Sequence, residues 1–212
     1  CENLLFVGER VGPFYELPLA QALRRRGESV LAVVCHPQPH ADGREYWTLE
    51  KLLRLGSLPD GIEVYNGHYG TATARAHGRQ PLGTALWDEA LSAGCRLWGY
   101  ANDDTHDPDD LGNAWNMVAA AERSPGAIVR AARSGACYAT TGPNLRHFAI
   151  AGACMEVELD VPARGRFVGP QGAVLAEDTG TAFRYTAQAE AYVRFEAEGA
   201  AGRIFLQPAF RA

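Results

Sequence analysis

Ser29-Val30-Leu31-Ala32-Val33-Val34-Cys35 is apolar almost from end to end and runs straight into His36-Pro37. A strand with one wet face alternates polar and apolar residues. A run without alternation is a strand covered on both faces, as in a parallel sheet flanked by helices. Pro37 has no N–H to give a central ladder, so the strand stops there and His36 stands at its exit. Two further stretches repeat the arrangement. Gly61–Tyr65 leads into Asn66-Gly67-His68, and Arg96–Ala101 leads into Asn102-Asp103-Asp104-Thr105-His106.

Helical patterns lie between these strands. Glu16–Arg26 spaces Leu17, Ala20 and Leu23 on one face and closes at Gly27. Thr48–Leu55 has an N-capping Thr48 and Gly56 beyond its end. Thr84–Ala93 turns Leu86, Trp87, Ala90 and Leu91 inward, and Ser124-Pro125 opens a helix that Gly135 closes. Leu4–Val7, Ala114–Ala119 and Ala136–Thr140 read as further strands, and Gly70–Pro81 as a loop. Strand and helix in alternation with short connections predict βα units around a parallel sheet. After Asn144 the helical period stops. Val157–Leu159, Phe183–Tyr185, Tyr192–Phe195 and Arg203–Leu206 are short strand-like runs between turn residues. The expectation is two domains, a βα domain over 1–143 and a small antiparallel β domain over 144–212.

Composition narrows the function. The chain has 212 residues and a net charge of −5, and its one basic run, Arg24-Arg25-Arg26, lies on a predicted helix, so a nucleic-acid partner is not expected. No apolar stretch approaches the roughly 18 residues of a membrane span. Five cysteines, an odd number without a Cys-x-x-Cys pair, fit free thiols in a reducing cytoplasm. The chain starts with Cys1 rather than Met, which leads us to expect further sequence upstream.

The chemistry gathers at the strand exits. Asp104 and His106 are two apart, so in extended chain both side chains point to the same side, as ligands of one divalent metal do. His36 is a third candidate ligand from an equivalent position. His68 sits near the same mouth, where it is a candidate contact for a phosphate; Arg75 and Arg79 are candidate contacts for an anionic substrate. Asp103 is a candidate for orienting a ligand histidine. Glu63 reads as structural within its strand, and His40, His77 and His147 as surface residues.

Taken in order, several segments resemble the PHP family (polymerase and histidinol phosphatase domain). They are Val33-Val34-Cys35-His36-Pro37, Ile62-Glu63-Val64-Tyr65-Asn66-Gly67, Leu86-Trp87-Asp88 to Gly94, Asp103-Asp104-Thr105-His106, and Ala131–Gly135 with Tyr138–Gly142. Tyr192–Phe195 through Gln207-Pro208 resembles the β extension of one stand-alone branch. The resemblance implies a partial, distorted (β/α)7 barrel followed by the small antiparallel β domain. It implies hydrolysis of a small phosphorylated substrate by metal-activated water, with zinc, manganese or iron as the metal. His36 resembles the family's metal-binding His after a central strand, Asp104 and His106 its last Asp-x-His pair, and Glu9 stands near its Gly-x-Glu ligand. The opening His-x-His and the following Asp-His are absent, so the implied metal site is incomplete. The expectation is a phosphoesterase lacking part of its site, or else a non-catalytic module that binds a ligand or a partner.

Overall fold

The structure, a computed structural model, describes residues 3–8, 17–27, 29–40 and 42–211. Strands β1 (Asn3–Gly8), β2 (Val30–Cys35), β3 (Gly61–Asn66) and β4 (Trp98–Asn102) form one sheet in that order. β2, β3 and β4 run parallel, whereas β1 is antiparallel to β2. The helices are α1 (Leu19–Arg25), α2 (Leu49–Leu55), the short α3 (Gly67–Gly70) and α4 (Ala72–Ala76), α5 (Thr84–Ser92) and α6 (Pro125–Arg133).

The unbroken apolar run in β2 has the predicted cause. Ala32 and Val34 join the core that holds Leu23, Leu52, Trp87 and Leu91. Leu31, Val33 and Cys35 point the other way, into a second cluster with Val129 and Ala132 of α6. The alternation of side chains across a strand therefore divides one apolar run between two cores. Helix boundaries follow their caps. Thr48 accepts a hydrogen bond from Lys51 N–H and Ser124 accepts one from Ala127 N–H. Gly56 ends α2 at φ 60°, a conformation costly for other residues. Gly70–Pro81, which reads as a loop, contains α4 and the end of α3.

A second sheet is antiparallel throughout. Its strands are β5 (Trp115–Val118), β6 (Cys137–Thr140), β7 (Leu145–Ala151), β8 (Cys154–Val168), β9 (Val174–Thr186), β10 (Tyr192–Gly199), β11 (Gly202–Leu206) and β12 (Ala209–Phe210). The order is β5-β6-β11-β10-β8-β7, with β9 paired to β8 and β12 to β10. Met155, Val157, Phe167, Phe183, Phe195 and Ile204 fill its own core.

This arrangement corrects the barrel expectation. The chain is not a partial (β/α)7 barrel; among the described residues there is no closed barrel, and large antiparallel pairings dominate. The physical reason is that two-sided burial reports cover, not direction. α1 and α6 do lie between strands, yet β2 returns antiparallel to β1 and β6 antiparallel to β5. Between β4 and β5 there is only a turn of 3-10 helix, Pro108–Asp110, in place of the helix a parallel crossover ordinarily needs. Among the described residues, no helix is long and apolar enough to cross a membrane.

The two sheets meet at the edge of β4. Gln207 accepts from Gly99 N–H at 2.7 Å and donates to Gly99 C=O at 2.8 Å. Asn116 does the same at Ala101, at 2.9 and 2.7 Å. Two side-chain amides thus stand in for the backbone of a neighbouring strand.

Candidate metal centre

The exits of β2, β3 and β4 bring the polar residues together. His36 follows β2 with φ 57°, and Asp104 lies just beyond β4 with φ 54°. Both occupy the left-handed region, which non-glycine residues seldom adopt. His36 Nε2 lies 3.8 Å from Asp104 Oδ1. Bonds of about 2.0–2.2 Å from a zinc ion to nitrogen and oxygen would set neighbouring tetrahedral ligands about 3.4 Å apart. The pair is within a few tenths of an ångström of that separation, and imidazole with carboxylate is a donor set that suits zinc, manganese or iron.

On the far side of the imidazole, His36 Nδ1 lies 3.9 Å from Glu63 Oε1. Glu63 is 1% exposed, and its carboxylate is met by donors on every side. Asn66 Nδ2 lies at 3.1 Å, Asn102 Nδ2 at 2.9 Å and Gln38 Nε2 at 3.3 Å. Burial raises its pKa above the ordinary value, although these amides and His36 pull the other way. Asn66 is the hinge of the cluster. Its Oδ1 accepts from Tyr69 N–H and caps α3, which fixes the amide and turns its NH2 toward Glu63 and, at 3.2 Å, Asp104 Oδ2.

His106 does not join His36. It is exposed, and its Nδ1 donates to the Asp104 carbonyl at 2.6 Å. His68 Nδ1 donates to Asp110 Oδ1 at 3.0 Å. In both rings the partner can only accept, so the proton sits on Nδ1 and Nε2 keeps its lone pair for a ligand. His68, His106 and Asp110 offer donor atoms within 4.8 Å of one another. Asp110 also accepts from the backbone N–H groups of His106 and Asp107, and these bonds with that of His68 hold its carboxyl down at about 2.

Glu9 lies outside the described residues. Arg75 is exposed on α4, and among the described residues no hydrogen bond or ion pair joins its side chain to the cluster. Asp103 shapes the loop: its two oxygens accept from Gly112 and Ala114 N–H, and its carbonyl accepts from His68 N–H. His77 and His147 are exposed, but His40 is half-buried and ringed by Tyr46 and Tyr69. Glu63, Asn66, Asn102 and Asp110 carry the geometry without having been singled out for it in the sequence. The signal for Glu63 was its charge inside an otherwise apolar strand; Asp110 gave none.

Comparisons with protein-family models, with curated proteins and with solved structures yield no match to this chain. Function therefore rests on the residues themselves.

Proposed function

We propose that the chain carries part of a divalent-metal centre for the hydrolysis of phosphate esters. The observation that carries the reading is the His36–Asp104 pair, two potential ligands held face to face at the exits of β2 and β4, both in left-handed backbone. Residues in that conformation persist where the surroundings over-determine them, as they do at functional sites. The position agrees with the general rule that ligands of parallel sheets bind beyond the carboxyl ends of the strands.

His36 and Asp104 would hold one ion, with the Asn66 amide nitrogen, 3.4 Å from His36 Nδ1 and 3.2 Å from Asp104 Oδ2, positioning both side chains. His68 and His106 would serve a neighbouring position, His68 being oriented by Asp110. A bound divalent ion supplies acidity to a coordinated water and neutralises phosphate charge. No serine or cysteine nucleophile is required. The resemblance to PHP phosphoesterases points to the same reaction class.

The test is metal stoichiometry by equilibrium dialysis against zinc and manganese, followed by turnover of a generic aryl phosphate. We expect binding of at least one ion, with His36→Ala and Asp104→Asn each abolishing both binding at this site and turnover. Metal binding without turnover in the parent chain would favour the non-catalytic module. Absence of metal binding would remove the centre altogether.

A further inference from the structure

Beside the proposed metal centre stands a cation, Arg79, that no described carboxylate neutralises. Arg79 follows α4, and its guanidinium lies over the Tyr69 ring, 5.0 Å from the centroid. Its Nη1 donates to His40 Nδ1. Among the described residues no carboxylate pairs with it, although the loop across the mouth carries Asp103, Asp104, Asp107, Asp109 and Asp110. An arginine held by an aromatic face and an imidazole keeps most of its five N–H donors unused.

His40 adds a second unused donor. Its Nδ1 accepts the Arg79 hydrogen bond, so Nε2 carries the ring hydrogen, and that atom is buried with no partner among the described residues. Burial and the adjacent guanidinium lower the pKa of His40, which keeps this tautomer neutral near pH 7. Tyr69 connects these groups to the centre, since its ring lies 5.6 Å from that of His36 and 6.0 Å from that of His68.

We propose that Arg79, carried on Tyr69 and backed by His40, forms a recognition pocket for a tetrahedral oxyanion, and that this pocket receives the phosphate of a substrate whose ester oxygen faces His36 and Asp104. A planar guanidinium fork matches two phosphate oxygens at once, which a lysine ammonium does not. Arg79 is then the residue that selects phosphate esters over neutral esters. The proposal depends on the hydrolase reading for the place of the reacting ester; capture of the anion needs no metal.

The experiment measures inorganic phosphate binding to the chelator-treated chain by calorimetry, and then aryl phosphate turnover with metal restored. We expect Arg79→Gln to weaken phosphate binding by about tenfold or more, the loss typical of a charge-assisted contact. Arg79→Lys should fall between the two, and circular dichroism should show both variants folded. Arg75→Gln, four residues upstream, tests whether local charge alone suffices. A loss at Arg75 equal to that at Arg79 overturns the pocket, as does phosphate binding that is unchanged in Arg79→Gln or that appears only with metal. A loss confined to Arg79 in a chain that turns over no aryl phosphate sustains the pocket and overturns the hydrolase reading instead.

Discussion

His36 and Asp104 adopt a backbone that an L-residue enters at a cost of roughly 1–2 kcal/mol, and they do so on either side of the same opening. If the strain serves ligand placement, its relief should be visible as stability. We expect the Gly variant at each position to be about 1 kcal/mol more stable than the Ala variant, measured by urea unfolding, while neither binds zinc. Equal stabilities would show that the left-handed geometry is not enforced in solution. These two residues were legible because Pro37 and the Asp-x-His spacing mark strand ends. Glu63 was not, since a single carboxylate in an apolar strand looks structural, and its partners come from Gln38, Asn66 and Asn102, residues that only the fold brings together. His106 shows the converse. The i, i+2 rule places it beside Asp104 only in extended chain. The left-handed backbone at Asp104 breaks that geometry and turns His106 toward His68.

At the scale of the element, burial could be read from the sequence and strand direction could not. β2 and β3 are buried central strands as their composition requires, yet nothing in an apolar run states which way its neighbour runs. The edge of β4 makes the difference concrete. A barrel would cover it with another parallel strand; here Gln207 and Asn116 cover it with side-chain amides. Gly99 and Ala101 are two apart and so present their N–H and C=O groups to the same edge. Gln207→Leu leaves both groups of Gly99 without partners. It should cost about 1–3 kcal/mol and should speed hydrogen exchange at the Gly99 amide. Gln207→Glu still accepts from that amide but sets a carboxylate against the Gly99 carbonyl, so we expect it to be no better than leucine. A glutamate variant as stable as the parent would mean that the amide bridge does not hold the edge.

Across the whole molecule, one buried charge network ties the parallel sheet's helix to the antiparallel sheet. Arg194 of β10, 2% exposed, clasps Asp88 of α5 through two hydrogen bonds of 2.7 Å and reaches Glu196, which Arg166 also holds. Tyr192 adds its hydroxyl to Asp88, and Arg194 lies over the Trp87 ring. In the sequence, Tyr192-Val193-Arg194-Phe195 reads only as a short strand-like run, with nothing to mark Arg194 as buried. The arginine is dry because α5, more than a hundred residues earlier, brings the carboxylate to it. Arg194 keeps Glu196 when Asp88 is neutralised, so Asp88→Asn should cost about 1–3 kcal/mol, whereas Arg194→Met leaves Asp88 buried without its cation and should cost about 3–5 kcal/mol, both measured by urea unfolding. The network also sets an acid limit. Burial pushes the Glu196 carboxyl up, but Arg194 and Arg166 more than offset this, and it titrates below its ordinary value in the folded chain. A carboxyl depressed by folding contributes its stability above its unfolded pKa, about 4.3 for glutamate, and loses it as the pH falls toward the lower folded value. Unfolding free energies measured in urea from pH 7 down to about pH 3 should therefore drop once the pH falls below about 4.3. Glu196→Gln should flatten that part of the curve while lowering the plateau at neutral pH. A variant whose acid slope matched the parent's would place the sensitive carboxyl elsewhere and leave the Arg194 cluster without a part in holding the two sheets together at low pH.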